Sequence, residues 1–176
     1  MAERVLYTIG HSTRSLEEFL ALLAAHEIEA LVDIRTIPKS RHNPQFDRER
    51  LPPALARAHV RYAHLKALGG LRHPAKDSVN LGWRNASFRG FADYMGTVEF
   101  ESGLSRLEAT AARRRTAIMC AEAVPWRCHR SLVADALVLR GWRVRHIQSR
   151  RTAGPHVLTP FLTVRSGKPT YPAPEA

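Results

Sequence analysis

Both cysteines of the chain lie in one short polar segment. Between residues 120 and 130 this segment carries two thiols, a carboxylate, an indole, an imidazole and two guanidinium groups: Cys120, Glu122, Trp126, Arg127, Cys128, His129 and Arg130. Its sequence pattern predicts a short apolar strand, a Pro-containing turn and the first turn of a helix. Proteins of the α/β class place reactive groups at such junctions, because the helix offers free N–H groups and positive dipole charge there. The segment therefore predicts a functional site, without specifying its reaction.

Three roles are open to Cys128: a nucleophile, a redox thiol and a metal ligand. We expect the helix N-terminus and the neighbouring Arg127, His129 and Arg130 to lower its pKa and favour the thiolate. Cys120, at the end of the strand, is either a second functional thiol or a small buried apolar residue. A disulfide between the two cysteines would require the turn to bring their Cα atoms within about 7 Å.

The spacing of potential ligands does not match a familiar metal or phosphate site. Cys120, Cys128 and a histidine would give zinc three ligands from this segment, and no Cys-x-x-Cys pair is present. The second cysteine pair typical of zinc deaminases is missing. Glycine-rich phosphate-binding loops are also missing from the sequence. No metal ligand is therefore assigned, and the cofactor stays unknown.

Two further side chains could move protons. Glu122 follows Cys120 by two positions, so strand alternation would send both side chains the same way. This carboxylate could be a general base, or the ion-pair partner of Arg127 or Arg130. His11 follows Gly10 in a loop between a strand and a helix, which suits proton transfer or anion binding. A loop histidine bonded to backbone is the alternative.

A second polar segment, from Arg35 to Asn43, follows another apolar strand. We expect it to form a polar wall of the site, where guanidinium groups hold a phosphate or a carboxylate through forked hydrogen bonds. Asp33, in the strand itself, should pair with a nearby arginine or a helix N-terminus, because an unpaired buried carboxylate is costly. Trp126 would stack on a base or only cover its loop. The candidates for substrate binding are Arg35, Ser40, Arg41, Asn43, Trp126, Arg127 and Arg130.

Apolar strands alternate with amphipathic helices along the chain. The predicted strands are 5–9, 30–34, 60–64, 116–120 and 143–147, and the predicted helices are 16–26, 48–58 with Asp47 as cap, 88–95, 99–115 and 128–140. This order predicts an α/β fold of three layers, a mostly parallel sheet with helices on both faces and a small C-terminal hairpin within 161–171. Ligands of such sheets bind beyond the carboxyl ends of the strands. His11, Arg35, Glu122 and Cys128 should therefore line one pocket.

Length and charge limit the function classes. The 176 residues predict one α/β domain over 1–176, with a frayed, Pro-rich tail at about 172–176. Neither a membrane-spanning run nor a signal-peptide pattern is visible, so we expect a cytoplasmic protein without a membrane partner. A net charge of +11 indicates an anionic small molecule or nucleic acid as partner. The oligomeric state stays open.

Several motifs together resemble one protein family. They are Thr8–Ser12; Val32–Arg35 with Pro38 and Ser40-Arg41; Tyr62–Leu65 with Leu68–Gly70; Phe88–Met95; and Cys120–Glu122 with Trp126–Arg130. From about residue 5 to about residue 172 the chain resembles the uncharacterised bacterial and archaeal proteins called domain of unknown function 488. The resemblance implies a small α/β fold and a site around the Cys-Glu and Cys-His-Arg motifs, and it supplies no substrate.

Three functional hypotheses remain. The first is an enzyme for an anionic, nucleotide- or nucleic-acid-related substrate, with Cys128 or Glu122 as nucleophile or base and His11 or His129 moving protons. The second is a non-catalytic nucleic-acid-binding module, in which the same arginines contact phosphates. The third is a thiol redox or metal-binding protein. The clustering of thiol, carboxylate and imidazole favours the enzyme, because a phosphate-binding surface needs neither thiol nor carboxylate.

Overall fold

A six-stranded sheet forms the centre of the computed structural model, which describes residues 3–175. The strands of this sheet are β1 (Val5–Gly10), β2 (Ala30–Asp33), β3 (Arg61–His64), β4 (Thr116–Cys120), β5 (Arg143–Ile147) and β6 (Ala153–Pro155). Two further strands lie outside it, β7 (Thr163–Arg165) and β8 (Lys168–Thr170). The helices are α1 (Leu16–Ala25), α2 (Leu51–Arg57), α3 (Ala86–Tyr94), α4 (Val98–Arg113) and α5 (Arg130–Leu139). Residues 1, 2 and 176 of the predicted domain, the last of them in its predicted tail, lie outside the described residues.

The sheet has the order β3-β2-β4-β1-β5-β6. Its first five strands are parallel, and β6 pairs antiparallel with β5. Strands β7 and β8 form a separate two-stranded antiparallel hairpin. The parallel arrangement brings the carboxyl ends of β1, β2 and β4 to one edge, with β4 between the other two.

Helices cover both faces of the sheet. On one face α1 and α2 bury Phe19 and Leu51 against Ile9 of β1. On the other face α3, α4 and α5 enclose a larger apolar core that includes Leu104 and Leu132. The three-layer α/β fold with a small C-terminal hairpin is thus confirmed. Within residues 3–175, no helix combines the length and the apolar character needed to cross a membrane.

Several helix ends follow their local sequence. Ser15 caps α1, since its Oγ accepts the Glu18 N–H at 3.0 Å. Gly141 stops α5 with φ of 92°, a left-handed conformation that glycine adopts without strain.

Three predicted helix starts were wrong. The helix predicted from Phe88 begins at Ala86, because the Asn85 side chain accepts the Ser87 N–H at 2.8 Å and caps the helix there. The helix predicted from residue 48 begins at Leu51, because the Asp47 carboxylate accepts the Ser40 N–H at 2.6 Å and does not cap it. The helix predicted from Cys128 begins at Arg130, since the 3-10 turn Pro125–Arg127 occupies the preceding residues. Strand β6 was not predicted, because three residues with Gly and Pro carry no strand pattern.

Candidate functional site

An open cleft of about 480 Å³ lies at the carboxyl edge of β2 and β4. Six of the predicted site residues line it: Arg35, Cys120, Glu122, Arg127, Cys128 and His129. The opposite wall consists of side chains from the 36–39 and 70–71 loops and from the start of α3. The cleft therefore combines two thiols, a carboxylate and basic groups with an apolar surface from Ile37, Leu71 and Phe88.

The other predicted site residues lie outside the cleft lining. His11 is buried behind Arg35, with its Nε2 3.5 Å from the Arg35 Nη1, and it stacks on Phe46 at 4.4 Å. Ser40 and Asn43 organise their own loop, because the Ser40 Oγ accepts the Asn43 N–H at 3.0 Å.

Arg41, Trp126 and Arg130 complete this group. Arg41 is exposed. Trp126 is 70% exposed and lines a separate cavity of about 370 Å³ together with His146 and His156. Arg130 is buried beneath the segment that carries the cysteines, since its Nη2 donates to the Ala123 carbonyl at 3.1 Å.

Arg35 is held by a buried ion pair at the end of β2. Its Nε and Nη2 donate to the two Asp33 carboxylate oxygens at 2.9 and 2.7 Å, and Nη2 also donates to the Phe46 carbonyl at 2.7 Å. The Tyr62 hydroxyl donates to the same carboxylate at 2.6 Å. The predicted pairing of Asp33 is therefore confirmed. Because two of its three nitrogens are engaged in this way, Arg35 is a rigid part of the wall.

The two cysteines form one hydrogen-bonded pair. Both are free, and their sulfurs lie 2.6 Å apart, with the Cys128 S–H donating to Cys120. Cys120 is 2% exposed and Cys128 is 6% exposed, so the cleft is the route by which solutes reach them. The Arg130 backbone N–H donates to the Cys128 sulfur at 3.4 Å.

This geometry opposes the predicted lowering of the Cys128 pKa. Burial opposes ionisation of Cys120, but the hydrogen bond from Cys128 and the positive charge of Arg130 lower its pKa below the usual thiol value. The hydrogen bond that Cys128 donates, together with burial, raises the pKa of Cys128 well above that value. The predicted lowering of the Cys128 pKa was therefore wrong, and the contacts of the pair favour ionisation at Cys120.

Arg130 presents an unusual buried charge. Its side chain is 1% exposed, and its Nε and Nη1 have no hydrogen-bond partner within residues 3–175. A buried cation with unpaired donors strongly favours a nearby anion. Arg130 acts on both cysteines by its positive charge, which favours ionisation of Cys120.

His129 is a neutral imidazole facing the thiol pair. Burial lowers its pKa to about 4, so it is uncharged at pH 7. Its Nε2 lies 2.9 Å from the Ile34 carbonyl, and its Nδ1 lies 3.4 Å from the Cys128 sulfur. Because a carbonyl only accepts hydrogen bonds, the neutral ring carries its proton on Nε2 and turns an unprotonated Nδ1 toward Cys128. Burial also lowers the pKa of His11.

Glu122 is exposed at the rim of the cleft. None of the ion pairs found within residues 3–175 includes it. The predicted alternative of a salt bridge to Arg127 or Arg130 is not formed, so the carboxylate stays available to a solute in the cleft.

Sequence reasoning missed several contributors. Lys39 supplies a cation to the cleft, and Phe88 supplies an aromatic wall from the first turns of α3. Gly70 packs against the His129 ring, where a Cβ would lie 2.7 Å from Nδ1. The adjacent Gly69 and Gly70 in a long polar loop were the available signal, because paired glycines often mark a close approach of backbone.

A second buried network was also missed. The Asp135 carboxylate lies 2.7 Å from the His156 Nε2, and the His156 Nδ1 lies 2.9 Å from the His146 Nε2. The Thr8 hydroxyl lies 2.5 Å from the His146 Nδ1 and ends this chain of contacts in the sheet. A carboxylate among the apolar residues 132–139 of α5 was the sequence signal for such a network.

Within the described residues 3–175, no group of three or more His, Cys, Asp or Glu side chains is arranged to hold a metal ion.

Comparison with known proteins places the chain in one family. The sequence model described as "Domain of unknown function DUF488" matches residues 15–137, which include α1 to α5 up to Leu137 and the whole thiol segment. No curated protein matched the chain, and no solved structure matched it. The match covers well over half of the sequence, so the chain belongs to the DUF488 family, a domain of unknown function.

Proposed function

We propose that the protein is an enzyme that uses the Cys120 thiolate as a nucleophile on a small anionic substrate bound in the cleft. The observation that carries the proposal is the hydrogen bond from Cys128 to Cys120, at 2.6 Å, together with the buried charge of Arg130, two of whose nitrogens lack partners within residues 3–175. A hydrogen bond and a buried cation favour the ionised sulfur, and the thiolate is the reactive form.

The cleft has the charge and shape for such a substrate. Lys39 and Arg127 contribute cations to its wall, and Ile37, Leu71 and Phe88 contribute apolar surface. This combination suits a molecule with an anionic end and a planar or apolar body, as nucleotides have. Glu122, exposed on the same wall, is the group placed to exchange a proton with a leaving atom.

Alkylation rates test the nucleophile. We expect the reduced protein to react with iodoacetamide at Cys120, with a rate that becomes half-maximal below the ordinary thiol pKa of about 8.5. Cys120→Ser should abolish this fast phase, whereas Cys128→Ser should retain it with a higher apparent pKa. A fast phase that maps to Cys128, or one present only after unfolding, would contradict the assignment.

Charge selectivity tests the substrate class. Iodoacetate carries the negative charge that iodoacetamide lacks. The rate of alkylation by iodoacetate divided by the rate with iodoacetamide therefore reports the electrostatic potential in the cleft. Arg127→Gln should lower this ratio by about fivefold, which corresponds to about 1 kcal/mol for one charge pair in a solvent-exposed setting. Arg113→Gln is the matched control, because it removes the same charge from the end of α4, away from the cleft. Equal effects of both variants would point to overall charge and not to a substrate site.

A nucleic-acid-binding module is the second candidate, and it rests on a different surface. Arg61, Arg113 and Arg114 line a cavity of about 520 Å³ that β2, β3 and the end of α4 enclose. None of these three forms a salt bridge within residues 3–175. Unpaired arginines on a protein of net charge +11 suit phosphodiester contacts.

Salt dependence of oligonucleotide binding separates the two candidates. A nucleic-acid module that uses this surface should lose about one unit of salt slope for each duplex phosphate contact removed, with Arg113→Gln effective and Arg127→Gln without effect. The proposed enzyme should respond to Arg127→Gln alone, with a small anionic ligand such as a nucleoside monophosphate as probe.

A further inference from the structure

The two cysteine sulfurs lie close enough to react with each other, which a site with a single nucleophilic thiol does not require. A nucleophilic site requires one thiolate, yet here a second free thiol lies 2.6 Å from the first and eight positions further along the chain. An ordinary disulfide has a sulfur–sulfur bond of about 2.05 Å. The sulfurs are therefore separated by little more than a bond length, and side-chain rotation can bring them together.

We propose that Cys120 and Cys128 are the two halves of a reversible disulfide that forms when a hydroperoxide enters the cleft. The inference rests on the proposed function in one respect, because the Cys120 sulfur that attacks the substrate also attacks the peroxide. The disulfide removes that nucleophile, so its formation stops the substrate reaction until a dithiol reductant restores both thiols.

The first step oxidises Cys120. Its thiolate attacks one peroxide oxygen, an S–O bond forms, and the O–O bond breaks. The leaving alkoxide takes a proton from solvent and departs as an alcohol, or as water when the oxidant is hydrogen peroxide. Cys120 is then a sulfenic acid, oxidised by two electrons, and the peroxide has been reduced by the same two electrons.

The second step joins the sulfurs. Cys128 loses its proton, its sulfur attacks the Cys120 sulfur, an S–S bond forms and the S–O bond breaks. The hydroxide that leaves takes up the Cys128 proton and departs as water. In total, two thiols and one hydroperoxide become one disulfide, one alcohol and one water.

His129 is placed to carry the proton of this second step. Its unprotonated Nδ1 lies 3.4 Å from the Cys128 sulfur, and the Ile34 carbonyl, 2.9 Å from Nε2, holds the ring in that tautomer. The Arg130 N–H, 3.4 Å from the same sulfur, stabilises the negative charge that develops on Cys128. The less acidic thiol therefore has a base and a donor beside it, as an attacking partner requires.

Peroxide titration followed by intact mass and thiol counting tests the proposal. The wild-type protein should lose both thiols together, with a mass decrease of two hydrogen atoms that dithiothreitol reverses. Cys128→Ser should stop at a Cys120 sulfenic acid that dimedone traps, and Cys120→Ser should keep its remaining thiol. His129→Gln should prolong the sulfenic acid at least about tenfold, because a positioned base typically contributes about 10²-fold or more.

Two outcomes would overturn the inference. One is oxygen addition at Cys120 while Cys128 remains a titratable thiol. The other is failure of both peroxide and diamide, a direct two-electron thiol oxidant, to give an intramolecular disulfide.

Iodoacetate alkylation of the reduced protein separates this inference from the proposed function. If Cys120 is rapidly alkylated but no disulfide forms, the redox proposal fails and the nucleophile stands. If the disulfide forms but Arg127→Gln leaves the iodoacetate preference unchanged, the anionic-substrate site fails and the redox pair stands.

Discussion

Replacing Arg130 with methionine should make the protein more stable at pH 6 and its thiol site less reactive. The guanidinium is 1% exposed, one nitrogen donates to the Ala123 carbonyl at 3.1 Å, and the other two lack partners within residues 3–175. Each unsatisfied buried polar group costs about 1–3 kcal/mol, and the lost charged hydrogen bond contributes about 1.5–3 kcal/mol. We therefore expect a net gain of about 1–2 kcal/mol for Arg130→Met, within the range seen when buried charges become apolar.

The sign of this effect depends on pH through Cys120. The pKa of Cys120 is lower in the folded protein than in the unfolded chain, so its ionisation adds stability that is complete above about pH 8.5 and is lost as pH falls through the folded pKa. Arg130→Met removes the cation that supports the thiolate. The advantage of the variant at pH 6 should therefore shrink, or reverse, at pH 8.5.

Urea unfolding under a reductant at the two pH values measures the stability difference. Thiolate absorbance in the ultraviolet measures the pKa of Cys120, which should rise in Arg130→Met and stay low in Arg130→Lys, because lysine keeps the charge. A loss of about 3–5 kcal/mol at pH 6 would refute the reasoning, since that is the effect of breaking a buried pair whose charge is already compensated. An unchanged thiolate titration would refute the electrostatic role.

Three further changes probe the scaffold of the cleft. Gly10→Ala would place a Cβ 2.5 Å from the Glu122 carbonyl carbon, so we expect the free energy of unfolding in urea to fall by about 1–3 kcal/mol and Cys120 alkylation to become slower. Gly96→Ala is the control. Its Cβ would lie 3.5 Å from the nearest atom, so the free energy of unfolding should change by less than about 0.5 kcal/mol. Asp33→Asn breaks the buried ion pair and should cost about 3–5 kcal/mol by the same measurement, whereas a loss under about 1 kcal/mol would argue against its burial. Burial lowers the pKa of His129 to about 4, so below pH 6.5 the unfolded chain binds more protons at this residue than the folded protein does. The free energy of unfolding should therefore fall as the pH decreases from 6.5 to about 4, and His129→Gln should make this pH dependence weaker.

The sequence was sufficient to predict the sheet edge at which the cleft lies. Apolar strands with helices between them require parallel pairing, and parallel pairing brings the carboxyl ends of β2 and β4 together. For the same reason Arg35, Glu122 and Cys128 could be predicted to line one pocket, whereas His11, predicted with them, lies outside the cleft lining. Loop conformations were not predictable in this way, so Lys39 was missed while Ser40 and Asn43, which bond to each other, were included.

The sequence pattern also did not predict how deeply individual side chains are buried. Arg130 was predicted to hold a solute, because an arginine beside a turn is usually exposed. Because the turn Pro125–Arg127 precedes α5, the helix begins at Arg130. The Arg130 side chain is therefore buried beneath the segment that carries the cysteines, whereas Arg127 lines the cleft and is exposed there.

The contact between the two sulfurs, and not the start of α5, favours Cys120 as the proposed nucleophile. The first N–H of α5, that of Arg130, still donates to the Cys128 sulfur and by itself favours a thiolate there. With the helix starting at Arg130, Cys128 sits before it in extended backbone and donates its own S–H to Cys120. Two coupled thiols cannot both be the stronger acid, and the contact with Cys128 together with the positive charge of Arg130 favours the thiolate at Cys120. Sequence periodicity places a residue on a strand or a helix, but it does not encode the direction of a hydrogen bond between two turns of the chain.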